Sequence, residues 1–360
     1  MKNWIMIALL CCGLSAKAQE KQYQVSADSV TFKSADGKIS FGGTLTKPIG
    51  KKAFRTVVIL SGTGKQDRDG TMAGHKIFLE LATYLTQNGI AVLRTDDRGT
   101  GKTSGIYETS TTGDFAQDAL AAVRYLKSRK DINPATIGLM GHSEGGASMS
   151  IAAAQSKDVK FLISLSGVAT SGLDNLLKQN EDLVSSGPQP DYDKKRSNEI
   201  NGMMFSVAYQ YANSDSMEVK LNETYQTWKL KDDVYFKSLN KPFDHFRFPI
   251  YSYVKTAIGP WYRYFIQYDA AKTIGQIKVP ILAINGDKDL YVAADSNLGN
   301  WKRYATAGGN KNVTTVKMPG INHLLLPCQT CDAAEYAKIQ TGIAPELLST
   351  IINWINTTTR

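Results

Sequence analysis

The sequence contains few cysteines and few histidines for its length. Its 360 residues include four of each type. A structural zinc site takes about four ligands, mostly from these residue types. With so few ligand residues, the sequence does not predict a metal site, and no metal or organic cofactor is expected.

Two of the four cysteines form a short motif near the C-terminus. Cys328 and Cys331 are separated by two residues. A local disulfide or a pair of unreacted thiols is the simplest interpretation, and a redox motif or half of a metal site is the alternative.

The chain also lacks long apolar runs, charge runs and internal repeats. Beyond the N-terminus no stretch of 18 apolar residues occurs, so no stable membrane insertion is predicted for the mature protein. The net charge is +9, but lysines and arginines are spread along the chain without a run of five, so no nucleic-acid partner is predicted. Hydrophobic residues make up 42% and charged residues 21%, which is typical of a folded globular protein and excludes a disordered chain.

Residues 1–18 have the three-part pattern of a signal peptide. Lys2 supplies the positive charge, Trp4–Leu14 is an apolar core too short to span a bilayer, and Ala16–Ala18 fits the small-x-small cleavage rule. The pattern predicts export to the periplasm or the medium. A lipid anchor on one of the two N-terminal cysteines is an alternative that the bulky Leu10 disfavours.

Short β-branched runs alternate with helical patterns in the remainder, which predicts an α/β fold with a mostly parallel central sheet and helices on both faces. Six runs are predicted as buried strands: Arg55–Leu60, Ile90–Thr95, Thr136–Met140, Lys160–Leu165, Val279–Ile284 and Asn312–Val316. Apolar and polar residues alternate more regularly in two earlier segments, Val25–Lys33 and Ile39–Thr46. These segments predict an antiparallel hairpin that precedes the six strands. A capping box at Thr111 and Asp114 and a proline at Pro345 predict two helix starts.

The alternation of strand and helix patterns stops between residues 171 and 268. These residues are polar, rich in aromatics and without a clear strand. We interpret this segment as an inserted helical cap. The predicted core then comprises residues 19–170 and 269–360. An insertion between two core strands lies at the carboxyl ends of the strands, where ligands bind in α/β sheets.

The most informative motif is Gly141–Gly145, which has the pattern G-x-S-x-G with Ser143 at its centre. The pattern is typical of a nucleophile elbow, in which serine occupies a tight turn between a strand and a helix. A predicted strand precedes it and a small-residue run compatible with a helix follows it. We therefore predict Ser143 as a catalytic nucleophile.

A serine nucleophile needs a histidine base oriented by a carboxylate. His323 follows the last predicted strand, as the order Ser-Asp-His requires. His142 is inside the elbow, His75 precedes it at the predicted start of a helix, and His245 falls in the predicted cap.

Two aspartates after the strand Val279–Ile284 compete for the role of the acid. Asp289 is favoured because the carboxylate must lie past the turn to reach the histidine. Asp287 is the alternative, and its own expected role is in the turn.

The oxyanion hole requires two backbone N–H donors. Glu144, directly after the serine, should supply one. Thr63, in the glycine-containing loop after Arg55–Leu60, is predicted to supply the other, and Arg68 is a candidate for direct substrate contact. The segment Gly99–Thr103 looks like a phosphate loop, but the Walker pattern needs glycine where Asp96 stands, so nucleotide binding is not predicted.

These motifs resemble the α/β-hydrolase superfamily and, within it, the bacterial esterases grouped with serine aminopeptidase-like hydrolases. The resemblance covers most of the chain, is weakest in residues 171–268, and is carried by Ser61–Gly70, Asp96–Lys102, Thr112–Ala116, Gly141–Gly146 and Asn322–Leu324. It implies Ser143 as nucleophile, Asp289 as acid, His323 as base, and an oxyanion site near Thr63 and Glu144.

The expected activity is that of an exported carboxylesterase acting on small or medium esters without a cofactor. An aminopeptidase or acyl-peptide hydrolase acting on short peptides is the alternative. It would need a cap carboxylate for the substrate amine, for which Glu181, Asp182 and Asp244 are candidates. A non-catalytic binding protein on the same fold is the alternative from another class.

Overall fold

The computed structural model describes residues 22–50 and 54–358. The predicted signal peptide, residues 1–18, lies outside them. Among the helices of the described ranges, none combines the length and the apolar composition needed to cross a bilayer.

Eight strands form the central sheet, in the order β1-β2-β6-β3-β7-β8-β9-β10. β4 and β5, which have two residues each, form a separate antiparallel hairpin. The strands of the described chain are β1 Val25–Lys33, β2 Ser40–Pro48, β3 Phe54–Leu60, β4 Thr71–Met72, β5 His75–Lys76, β6 Ala91–Thr95, β7 Ile132–His142, β8 Leu162–Leu165, β9 Ile281–Gly286 and β10 Val313–Met318. β1 pairs antiparallel with β2, and β2 with β6. All five pairs from β6 to β10 in this order are parallel, so the carboxyl ends of these six strands lie at one edge of the sheet, where the site described below is formed.

Helices cover both faces of the sheet. The helices of the described chain are α1 Ile77–Gln87, α2 Thr112–Ser128, α3 Gly145–Gln155, α4 Gly172–Ser186, α5 Asp191–Gln210, α6 Met217–Ser238, α7 Ile250–Ala257, α8 Pro260–Ile266, α9 Ala270–Ile274, α10 Ala294–Ala307, α11 Ala333–Tyr336 and α12 Pro345–Thr358. α2, α3 and α10 pack into the apolar cluster on one face, and α1 and α12 into the cluster on the other. Strand residues therefore alternate between two cores: Val58 faces the first, and Val57 and Ile59 face the second.

Five helices, α4 to α8, lie between β8 and β9 in the region for which the sequence predicts a cap. We refer to residues 172–266 as the helical segment. It has an apolar cluster of its own, which includes Met204, Leu221 and Trp228. Its buried Arg196 binds the carboxylates of Asp193, Asp232 and Asp244.

The six predicted core strands and the predicted hairpin are all present, and β7 extends beyond its predicted bounds at both ends. The capping box at Thr111 and Asp114 is formed, and α12 begins at Pro345, as predicted. The expectation for His75 is wrong. His75 belongs to the short strand β5, because it pairs with Met72, and α1 begins two residues later at Ile77.

Candidate active site

Ser143 lies in the sharp turn between β7 and α3, as the elbow motif predicts. Its φ is 55°, a left-handed conformation that is rare for residues other than glycine. The turn is so tight that a Cβ at Gly141 would overlap the carbonyl oxygen of Gly145. Glycine at position 141 is therefore required for this turn. The Ser143 N–H donates to the carbonyl oxygen of Leu165, and the Ser143 carbonyl accepts the N–H groups of Gly146 and Val168, which holds the strained serine in place.

The structure brings Ser143, His323 and Asp289 into one hydrogen-bonded chain. His323 Nε2 lies 3.1 Å from Ser143 Oγ, and His323 Nδ1 lies 2.8 Å from Asp289 Oδ2. Because a carboxylate only accepts, Nδ1 carries the ring proton, and Nε2 is then free to accept the serine proton. This is the geometry in which an imidazole can act as a general base toward a hydroxyl.

Asp289 is held by the turn that follows β9. Its Oδ1 accepts the backbone N–H groups of Tyr291 and Val292, each at 2.9 Å, and Asn285 Nδ2 lies 3.2 Å from its Oδ2. Burial alone would raise the pKa of Asp289, but the neighbouring His323 ring and these N–H donors lower it below its ordinary value. An ionised Asp289 can therefore orient His323.

The competing aspartate has a different position. Asp287 is exposed, and its Oδ1 accepts the N–H of Gly320 at 2.7 Å. Its carboxylate ties the turn after β9 to the loop after β10. Of the two aspartates, the structure brings Asp289 to the histidine.

The loop that carries His323 is fixed by two neighbouring side chains. Asn322 Oδ1 accepts the N–H groups of Leu324 and Leu326. His142 Nε2 lies 2.8 Å from the carbonyl oxygen of His323. Burial and the neighbouring His323 lower the pKa of His142 to about 3, so its ring is neutral near pH 7.

The loop after β3 passes directly over the serine. A Cβ at Gly62 would lie 2.8 Å from Ser143 Cβ, so only glycine permits this approach. Asp97 binds this loop at two residues. Its Oδ1 accepts from Ser61 Oγ at 2.6 Å, and its Oδ2 accepts from Gln66 N–H at 2.8 Å. Burial raises the pKa of Asp97 to about 7, although these two donors act in the opposite direction.

The two predicted oxyanion donors lie on this loop and on the elbow. Within the described residues, the backbone N–H groups of Thr63 and Glu144 donate to no protein acceptor. Such N–H groups are available to a developing oxyanion.

The contacts of the Glu144 side chain were not predictable from the sequence. The residue is 2% exposed, and its carboxylate accepts from Thr63 Oγ1 at 2.8 Å, Thr112 Oγ1 at 2.7 Å and Trp261 Nε1 at 2.9 Å. Burial raises the pKa of Glu144, and the three donors offset part of that rise. The charged residue in the elbow motif was the available signal, but nothing in the sequence identifies its partners.

A cavity of 510 Å³ opens beside Ser143 and His323. Its walls combine loops of the core with α4 and α8 of the helical segment. The aromatic and apolar lining residues include Met72, Val168, Leu176, Trp261, Phe265, Tyr291, Leu324 and Tyr336, and the amide lining residues are Gln66, Asn175 and Gln179. Among the described residues that line it, Glu144 is the one carboxylate.

The three carboxylates named as candidate partners for a substrate amine lie outside the cavity. Glu181 and Asp182 pair with Lys178 on the surface of α4, and Asp244 binds Arg196. None of these three carboxylates lines the cavity.

Arg68, the candidate for substrate contact, and His245 of the predicted cap are also absent from the cavity wall. Arg68 forms an ion pair with the buried Asp96, and its side chain does not line the cavity. His245 packs against the ring of Phe243, and it does not line the cavity either.

Cys328 and Cys331 are joined by a disulfide, one of the outcomes expected from the sequence. Glu335 completes this turn by accepting the N–H groups of Gln329 and Cys331 and the hydroxyl of Thr330. In the described part of the chain, these two cysteines and Glu335 are the one group of three such residues whose potential metal-ligand atoms all lie within 4.8 Å of one another. The disulfide engages both sulfurs of this group.

A sequence model of the α/β hydrolase fold matches residues 55–327. Among curated proteins, Esterase EstD of Thermotoga maritima is 32% identical over 132 residues, which are 36% of this chain and 32% of that protein. The uncharacterized protein YfhR of Escherichia coli is 29% identical over 34% of this chain and 40% of its own. The matches thus span about a third of these relatives.

Solved structures extend the likeness to the whole fold. An esterase of Pyrococcus furiosus, Pf2001, aligns with a TM-score of 0.56 at 15% identity, over 93% of this chain and 92% of its own. Est1E of Butyrivibrio proteoclasticus, solved with ferulic acid, aligns with a TM-score of 0.52 at 17% identity, over 91% and 98%. At these identities the likeness shows a shared fold.

Proposed function

The chain belongs to the α/β hydrolase fold family, and from this premise we propose that it is a serine carboxylesterase. The observation that carries the proposal is the hydrogen-bonded chain from Ser143 through His323 to Asp289. The esterase names of the Thermotoga and Pyrococcus relatives agree with it. The fold alone would not distinguish an enzyme from a binding protein, so the site carries the functional inference.

In the proposed mechanism, Ser143 Oγ attacks the ester carbonyl while His323 Nε2 takes its proton. Asp289 holds the imidazole through Nδ1 and stabilises the positive charge that forms on the ring. The N–H groups of Thr63 and Glu144 stabilise the oxyanion of the tetrahedral intermediate. His323 then returns the proton to the leaving alcohol, and the acyl group remains on Ser143.

The second half of the reaction repeats the same proton transfers with water. His323 removes a proton from water as the water attacks the acyl-enzyme carbonyl. The collapse of that intermediate releases the acid and restores the Ser143 hydroxyl.

The lining of the cavity supports an uncharged ester as the substrate. Its walls are aromatic, aliphatic and amide groups, and its single carboxylate, Glu144, already accepts three hydrogen bonds. A free α-amine would need an available anionic partner in this cavity. The aminopeptidase alternative is therefore disfavoured, since Glu181, Asp182 and Asp244 lie elsewhere.

We further propose that the protein is exported, with residues 1–18 as the signal peptide, and that the helical segment acts as a cap over the core. The first proposal rests on the charge, apolar core and cleavage pattern of the N-terminus. The second rests on the contribution of α4 and α8 to the cavity wall.

The test compares nitrophenyl esters of increasing acyl length with aminoacyl nitroanilides as substrates. Wild-type protein should hydrolyse the esters well ahead of the amides. Ser143→Ala should lose the activity, whereas Ser156→Ala, at the end of α3, should keep it. Faster cleavage of the amides would contradict the esterase assignment, and a folded wild type inert toward both would favour a binding protein.

A further inference from the structure

The carboxylate of Glu144 joins three segments that are distant in the sequence. Its three donors come from the loop after β3, the first residue of α2 and α8 in the helical segment. No basic side chain forms an ion pair with it within the described residues. A buried carboxylate without a cation depends on its hydrogen bonds, so the positions of these donors are coupled through it.

One of the three donors, Thr63, belongs to the loop after β3 that passes over Ser143. Asp97 fixes this loop at Ser61 and Gln66, on either side of Thr63. Between those points, Tyr107 Oη accepts the N–H of Gly64 at 2.8 Å, and Thr63 Oγ1 donates to Glu144 Oε2 at 2.8 Å. The second of these bonds is the one that Thr63 makes with its own side chain. Oxyanion stabilisation depends on donors held in place before the reaction, so this bond bears on the rate.

Another donor belongs to the wall of the cavity. Trp261 stacks on Phe265 with ring centroids 5.4 Å apart, and both rings line the cavity beside Ser143. The indole N–H of Trp261 reaches Glu144 Oε1 at 2.9 Å. A displacement of α8 would therefore act on the same carboxylate that holds Thr63.

We propose that the Glu144 side chain is a positioning residue that sets the place of the Thr63 N–H and ties it to Trp261 of the helical segment. The proposal rests on the proposed esterase function and deepens it. The oxyanion site is then complete only when α8 packs on the core. Substrates that contact Trp261 in the cavity wall should therefore have a higher kcat, and not only a lower KM.

The first test removes the hydrogen bond from the Thr63 side. Thr63→Val should lower kcat about tenfold with KM changed less than about threefold, because a misplaced donor costs energy in the transition state. Thr63→Ser restores the hydroxyl and should recover most of the loss. A double-mutant cycle with Glu144→Ala should be non-additive, since both changes remove the bond between Thr63 and Glu144, while Glu144→Ala also removes the bonds from Thr112 and Trp261.

A second readout needs no ester turnover. A fluorophosphonate places its phosphoryl oxygen in the oxyanion site when it reacts with Ser143. Its labelling rate should fall in Thr63→Val by about the same factor as kcat and recover in Thr63→Ser. Labelling and kcat equal in the valine and serine variants would overturn the proposal. If the wild type is labelled but does not hydrolyse esters, only the ester assignment is contradicted. The labelling rates of the variants then still test the positioning role of Glu144.

The link to the helical segment has a matched pair of variants on α8. Trp261→Phe removes the indole N–H and keeps a ring on Phe265, whereas Tyr262→Phe removes a hydroxyl that bonds Tyr253 away from the cavity. We expect Trp261→Phe to lower kcat and the labelling rate together, by about three- to tenfold, and Tyr262→Phe to leave both unchanged. Equal effects of the two substitutions would contradict the coupling.

Discussion

The imidazole of His142 donates from Nε2 to the backbone carbonyl oxygen of His323, over 2.8 Å. The residue before the proposed nucleophile thus supports the loop that carries the proposed base. Its ring is 2% exposed, and its Nδ1 has no partner among the described residues. The elbow motif therefore contributes to the site on both sides of Ser143, through His142 and through Glu144.

Burial of neutral His142 predicts a loss of stability in acid. Its pKa is about 3 in the folded state, below the ordinary value of 6.5 in the unfolded chain. The unfolded state therefore binds the proton first, and the stabilisation is lost as the pH falls from 6.5 toward 3. Between pH 6 and pH 4 the unfolding free energy of the wild type should fall about 1.4 kcal/mol per pH unit more steeply than that of His142→Phe. Urea titrations at several pH values measure both, and parallel slopes would show that His142 ionises in the folded state.

Asp97 predicts a pH dependence of the opposite sign. Its folded pKa of about 7 lies above the ordinary aspartate value of 3.8, so the folded state holds the proton more tightly. The stabilisation is complete below pH 4 and is lost as the pH rises through 7. Relative to Asp97→Asn, the wild type should lose up to about 1.4 kcal/mol per pH unit in this range. Thermal unfolding in buffers from pH 4 to pH 8 provides the comparison, which fails if the two proteins respond alike.

The two aspartates after β9 should differ sharply in their kinetic importance. Asp289→Asn removes the acceptor that fixes the His323 tautomer and should lower kcat on the order of 10³–10⁴-fold. Asp287→Asn keeps an acceptor for Gly320 N–H and should remain within about threefold of wild type. Steady-state kinetics on one nitrophenyl ester measure both. A larger loss in the Asp287 variant would reverse the assignment.

The buried ion cluster of the helical segment should determine stability rather than chemistry. Arg196 is 1% exposed and binds three carboxylates, so Arg196→Met would leave buried charges unpaired and cost about 3–5 kcal/mol. Lys178→Met, which breaks exposed pairs with Glu181 and Asp182, is the matched control and should cost less than about 1 kcal/mol. Denaturant midpoints distinguish the two, and similar midpoints would mean that the cluster adds no stability.

The core and the three principal site residues were predictable because independent signals agree on them. Ser143 has a motif with its own flanking strand and helix. Asp289 and His323 each follow a predicted strand, and parallel strands bring their carboxyl ends to one edge of the sheet. Local pattern and topology therefore give the same answer for all three.

The contacts of the helical segment were not predictable in this way. Helical patterns indicate that α4 to α8 form, but they do not determine how these helices pack on the core. The bond between Trp261 and Glu144 and the ion cluster at Arg196 depend on that packing. His75 shows the same limit on a smaller scale, because a two-residue strand leaves no periodicity in the sequence.

We propose Ser143 as the nucleophile of a serine hydrolase. Intact-mass measurement after treatment with a fluorophosphonate, followed by peptide mapping, shows whether this hydroxyl reacts. We expect a single phosphonyl group, located on Ser143, and no mass increase in Ser143→Ala. A folded wild type that stays unmodified, or a modification that persists in Ser143→Ala, would contradict it.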